Sequence, residues 1–109
     1  MMVDKFIPET FKVGGQLINV ERVHRCESNA LGNCCVPAGS IEIADMYNKE
    51  DPQTESAKVN TFFHELTHSI LVTMGKKELN EDEEFVSTFS SFLCEAMTTA
   101  KYKDDKDMQ

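Results

Sequence analysis

Thr61-Phe62-Phe63-His64-Glu65-Leu66-Thr67-His68-Ser69-Ile70-Leu71 sets two histidines four residues apart, with a glutamate directly after the first, inside an apolar run. On an α-helix, residues at i and i+4 stand one above the other on the same face. His64 and His68 can therefore bring two imidazole nitrogens to one metal ion. Glu65 lies about 100° further round the helix, in reach of a water on that ion rather than of the ion itself. Two histidine ligands, a third ligand from elsewhere and an open position for an activated water are the parts of a zinc hydrolase site.

Five letters with three constrained positions recur by chance in many proteins, so the surroundings carry weight. Phe62, Phe63, Leu66, Ile70, Leu71 and Val72 make this helix apolar over most of its circumference, which predicts that it is buried. Histidines and a carboxylate on a buried helix need partners, because unpaired buried polar groups are costly. A Zn²⁺ ion would be such a partner.

Outward from the motif, Asp51-Pro52 reads as the helix start, with Asp as N-cap and Pro at the first helical position. Gly75 reads as its stop, with Lys76 and Lys77 beside the negative end of the dipole. Asn80 is expected to open a second helix whose first turn holds Glu81, Asp82, Glu83 and Glu84. Phe85, Val86, Phe89, Phe92, Leu93, Ala96 and Met97 repeat at helical spacing along its expected buried side. The charged tail from Lys101 to Gln109 is expected to fray.

Upstream, the chain reads as short strands. Phe11-Lys12-Val13 runs into the turn signal Gly14-Gly15, and residues 16–23 alternate roughly between apolar and polar. Leu31-Gly32-Asn33 reads as a turn, Cys34-Cys35-Val36 as a short strand, Pro37-Ala38-Gly39 as another turn, and residues 40–45 as a strand with Ile41 and Ile43 on one face. The connections are too short for helical crossovers, so the expected sheet is small and largely antiparallel. The fold class is thus α+β: a small N-terminal antiparallel sheet followed by two helices, the first carrying the histidine motif, in one domain over residues 1–109.

Composition narrows the function. With 40% hydrophobic and 28% charged residues the chain is an ordinary globular one. Its 19 acids against 11 Lys and Arg give a net charge of −8 and no basic stripe, which argues against a nucleic-acid partner. The opening Met1-Met2-Val3-Asp4-Lys5-Phe6-Ile7-Pro8 has no apolar h-region, and no run approaches a membrane span, so a cytoplasmic chain with reduced cysteines and no membrane association is expected.

The third ligand has several sources. A metzincin pattern would need a Gly and a His where Leu71 and Met74 stand, which excludes it. A glutamate from the acidic cluster can serve if the second helix crosses back over the first, although acids at a helix start also fit simple capping. His24, Cys26, Cys34 and Cys35 lack the paired spacing of a structural zinc knuckle, and Cys34 or Cys35 completing the histidine site is the weaker scheme. Cys94 on the second helix reads as core.

His64-Glu65-Leu66-Thr67-His68 followed by Glu83-Glu84-Phe85-Val86-Ser87-Thr88-Phe89-Ser90 resembles the gluzincins, the thermolysin-related zinc peptidases, and in its compactness the minigluzincins and ImmA/IrrE-like proteins, many of which look like phage or prophage products. The resemblance spans roughly residues 40–97. It implies a zinc-dependent peptidase acting on a peptide or protein, with His64, His68 and a glutamate as ligands and Glu65 as general base. It favours Glu83 over Glu84, since the family's aromatic at +6, small residue at +7 and polar supporter at +4 are then Phe89, Ser90 and Ser87. The family's transition-state donor has only His24, Tyr47 and Tyr102 as candidates. The resemblance also suggests that an exposed edge at the strand before the motif helix, residues 40–44, would pair with an extended substrate. The alternative is a zinc-stabilised protein-interaction module without turnover; an intact Glu65 favours the enzyme.

Overall fold

Gly14 and Gly15 take φ of 58° and 84°, the backbone a two-residue type I′ turn requires. They close a hairpin of β1 (Thr10–Val13) on β2 (Gln16–Val23), in the register Val13↔Gln16. The computed structural model describes residues 5–103. After β2 the chain makes a 3₁₀ turn at Glu27–Asn29, then forms β3 (Gly32–Cys35) and β4 (Ser40–Ala44). The four strands lie in the order β1-β2-β4-β3.

The expected antiparallel pairing holds at β1–β2 and β3–β4, but the central pair β2–β4 is parallel, with Val20 opposite Ile41. The chain achieves this without a helical crossover. It carries residues 24–31 past the end of the sheet, lays β3 on the outside and returns through the 36–39 turn into the interior position. β4 is therefore not an edge strand, as the sequence reading supposed; β3 is the edge next to it. β3 also begins earlier than its apolar residues suggest, taking in Gly32 and Asn33, which had read as a turn.

α1 (Glu55–Met74) packs against β1, β3 and β4 and, elsewhere on its surface, against α3 (Glu83–Thr99). Ile18, Ile41 and Ile43, all fully buried, meet Val59, Phe62 and Phe63 of α1. Each such side chain contributes roughly 1.5–3 kcal/mol on leaving water. The phenylalanines pack edge to face, Phe11 on Phe62 at 5.9 Å and Phe62 on Phe63 at 5.5 Å.

Helix boundaries differ from expectation where side chains found better partners. Thr54, not Asp51, caps α1 and accepts from Ala57 N at 3.1 Å. Asp51 is held in a loop in which Asn48 Oδ1 accepts from the Glu50 and Asp51 amides, and Pro52 bridges to Met46. Gly75 ends α1 as expected, at φ 75°. Asn80 does not open the next helix. It ends a separate turn, α2 (Lys77–Asn80), and Asp82 caps α3 by accepting from Phe85 N at 3.1 Å. The buried face of α3 is Val86, Ser90 and Cys94, whereas Phe89, Phe92 and Met97 of the expected core stripe are exposed. The reading of a frayed tail falls mainly on residues 104–109, outside those described. Among the described residues no helix is long and apolar enough to cross a membrane.

Gln53 ties these parts together. It is buried, donates through Nε2 to the Ala44 carbonyl at 2.6 Å and accepts from Thr61 Oγ1 at 3.1 Å. Gln53→Ala leaves a buried carbonyl and hydroxyl without that partner, at about 1–3 kcal/mol. Urea unfolding should show that loss with an unchanged m-value; a midpoint equal to wild type would remove Gln53 from the stabilising network.

Candidate metal centre

His64 and His68 project from the middle of α1 on one face, their rings 4.9 Å apart and edge to face. α1 ends at Gly75, α2 reverses the chain, and Glu83 enters at the first residue of α3. Its two carboxylate oxygens meet the two rings separately: Oε1 lies 3.2 Å from His64 Nε2 and Oε2 3.1 Å from His68 Nε2. Among the described residues this trio is the cluster of potential metal ligands, its ligand atoms all within 4.8 Å of one another. Ligands about 2.0–2.1 Å from a tetrahedral centre are separated by about 3.3–3.4 Å, close to these two gaps.

Glu83 is itself exposed and stands on the side of α3 that carries Val86, three residues on, rather than beside Phe85, Phe89 and Phe92. Glu84, one residue on, is exposed and does not line the cleft.

Asn80 completes the arrangement. Its Oδ1 lies 2.7 Å from His68 Nδ1. An amide oxygen only accepts, so with the amide in this orientation Nδ1 carries the proton and a neutral ring presents its Nε2 lone pair to Glu83. A nitrogen lone pair and a carboxylate oxygen at 3.1 Å repel unless a cation lies between them or a proton sits on the ring. Such an outer hydrogen bond is the usual device for orienting a metal-binding histidine. Sequence reading gave Asn80 the role of a helix cap; its site role depends on α2 folding back beside His68.

Glu65 is buried on the adjoining face of α1 and lines the same cleft. Burial pushes its carboxyl up to about 7; the charge of Glu83 adds to this and His68 opposes it. A divalent cation beside it would pull the value back down. His64 titrates below the ordinary histidine range, first through burial and then through His68, with Glu83 partly compensating. Neutral imidazole is the form that coordinates metals. Two imidazole nitrogens and a carboxylate oxygen form a donor set that could hold a divalent metal ion such as zinc.

The cleft has a volume of about 560 Å³, with Cys34, Cys35, Val36 and Pro37 of β3 and its turn on one side, and Val72, Asn80 and Glu83 among its other lining residues. β3 lies close to α1 because Gly32 has no side chain. A Cβ there would stand 2.6 Å from Thr61 Cγ2, 3.0 Å from the Glu42 carbonyl and 3.2 Å from Glu65 Cγ. Asn33 supports the strand by donating to Glu42 Oε1 at 3.1 Å.

All four cysteines are free, and none joins the histidine–glutamate cluster. Burial, then the charge of Glu65, pushes the Cys34 thiol up to about 12, so it lines the cleft as a neutral group. Cys26 and Cys94 are buried, Cys94 within the core as its sequence position suggested. His24, Tyr47 and Tyr102 do not line the cleft, and Ser87 is exposed on α3 away from it. Comparison with models of protein families, with curated proteins and with solved structures gave no match for this chain.

Gly32→Ala should push β3 away from Glu65 and cost about 1–3 kcal/mol, the usual range for an overpacked contact. On thermal unfolding this would lower Tm by several degrees. An unchanged Tm would mean that β3 does not need this close approach.

Proposed function

We propose that this chain is a zinc-dependent peptidase of gluzincin-like type, with His64, His68 and Glu83 as ligands and Glu65 as general base. The observation that carries the reading is the meeting of both His Nε2 atoms with the two oxygens of one carboxylate, at 3.2 and 3.1 Å, from helices joined through a separate turn. A glutamate serving only as a helix cap has no reason to bridge an i, i+4 histidine pair.

A zinc ion held by His64, His68 and Glu83 would supply Lewis acidity toward a substrate carbonyl and toward water in the cleft. The rest falls to the chain. His68 is held in one orientation by Asn80. Glu65, on the face beside the histidines, takes the proton from the attacking water and returns it to the leaving amine. β3, an edge strand along the cleft, offers backbone groups to an extended peptide, which would add to the sheet as a further strand. That role passes to β3 from the strand at residues 40–44, which lies inside the sheet.

A second reading, a zinc-stabilised interaction module without turnover, has one observation in its favour: none of His24, Tyr47 and Tyr102 lines the cleft as an oxyanion donor. Glu65 separates the two. Glu65→Gln should retain zinc and thermal stability and lose at least a hundredfold in cleavage of a peptide library. No cleavage by zinc-loaded wild type would leave the module reading in possession.

The ligand assignment has its own measurement. Purified chain should bind about one zinc, and His64→Ala or His68→Ala should abolish this. In a competition titration Glu83→Ala should weaken zinc binding far more than Glu84→Ala, and Asn80→Ala should weaken it about 10–100-fold, as for other residues that orient a ligand. Zinc content unchanged in a His64→Ala/His68→Ala double variant would remove the site.

A further inference from the structure

A second hollow opens beside the cleft, toward the start of α1. It has a volume of about 260 Å³, against about 560 Å³ for the cleft, and is lined by Leu31, Gly32, Asn60, Thr61, His64 and Glu65. Gly32, His64 and Glu65 line both, so the two meet at the candidate metal centre. The hollow falls below the usual ligand pocket of about 300–1,000 Å³, a size that suits one side chain rather than a whole small molecule.

Its walls define what it takes. Asn60 stands one turn before His64, in line with both histidines on α1. Its side chain is exposed and bonds to none of the described residues, so the amide has its donors and its acceptor free. Thr61 commits its hydroxyl to Gln53 at 3.1 Å and turns its methyl group toward Gly32. Leu31 is apolar, and no lysine or arginine lines the hollow. A carboxylate entering there would find no cation of the chain, and a lysine would pair with Glu65 and occupy the base.

β3 sets the direction of approach. The Leu31 carbonyl accepts from Ala44 N at 2.9 Å, so in the antiparallel register Leu31, Asn33 and Cys35 bond to β4. Gly32 and Cys34 then turn their N–H and C=O groups to the free edge. Antiparallel pairing is the more stable, and a peptide paired in that way runs from the Pro37 end of the cleft toward Leu31. The Cβ atoms of Asn60 and His64, one turn apart, are separated by about 5–6 Å, less than two residues of extended chain at about 3.3 Å each.

We infer that the hollow receives the side chain directly after the cut bond, and that Asn60 selects a short, uncharged one bearing an amide or hydroxyl: asparagine, serine or threonine. The cut rests on the peptidase reading above; the selection rests on the hollow itself.

Digestion of a randomised, end-blocked peptide library by the zinc-loaded full chain tests this, with the cuts read by mass spectrometry. Wild type should enrich asparagine, serine and threonine directly after the cut. Asn60→Leu should lower kcat/KM for an asparagine peptide relative to its leucine counterpart by about tenfold. Zinc content and Tm should stay as in wild type, because the side chain is exposed. Asn60→Asp should instead admit lysine at that position. A wild type without the preference, a preference that both variants leave unchanged, or one that lies before the cut overturns the inference. If zinc-loaded wild type cuts nothing, the peptidase reading fails by itself, and the library is then read by retention on the immobilised chain. Enrichment of those three residues that Asn60→Leu removes upholds the selection; equal retention profiles overturn it.

Discussion

α1 is covered by the sheet on one side and by α3 on another, and the rest of the structure follows from that. A helix enclosed in this way has little solvent face for its polar residues, yet α1 buries Lys58, Thr61, Glu65, Thr67 and Ser69. Each must be satisfied from within. Thr67 and Ser69 turn back onto the carbonyls of Phe63 and Leu66, Thr61 donates to Gln53, and Lys58 lies against Asp45 and Glu55. Glu65 and the two histidines are left for the cleft. The polar residues of α1 are thus divided between those that close the structure and those that face its opening.

The same enclosure explains how the carboxylate arrives. Were α1 and α3 joined by a plain tight turn, the first residues of α3 would lie beside the last residues of α1, far from His64. The additional turn of α2 lets the chain step back, so that Asn80 reaches His68 and Glu83 reaches both histidines. Small residues on the buried face of α3, Ser90 and Cys94, suit a close crossing of α1.

Much of this was legible in the residues. The histidine pair, the glycine stop at Gly75, the Gly14-Gly15 hairpin and the alternation of Ile41 and Ile43 are local signals, each set by period or by turn chemistry, and each appears where expected. What misled were local signals that lost to tertiary partners. Asp51-Pro52 is a good helix start, but Asn48 holds that segment in a loop. Asn80 is a good cap, but His68 engages its side chain. The phenylalanine stripe of α3 has a core-like period, yet α1 takes the Val86 face, where small residues permit approach. The parallel β2–β4 pair was hidden for a different reason: strand order is a property of the chain's path, and short connections exclude helical crossovers without excluding a strand laid on the outside.

β3 is an edge strand in the middle of the chain, and this shapes how the molecule can breathe. It has four residues and a paired strand on one side only, and Gly32 gives it no side chain to anchor at its start. Its hydrogen bonds should therefore open at a lower free energy than those of β2 and β4, which are flanked on both sides. Being tethered at both ends, however, it cannot drift off or exchange with a neighbour as a terminal strand can. Because Cys34 and Cys35 of β3 line the cleft while Ile41 and Ile43 of β4 sit in the core, such an opening would reach the cleft before it reached the isoleucines. One wall of the cleft is thus the sheet's own unpaired edge.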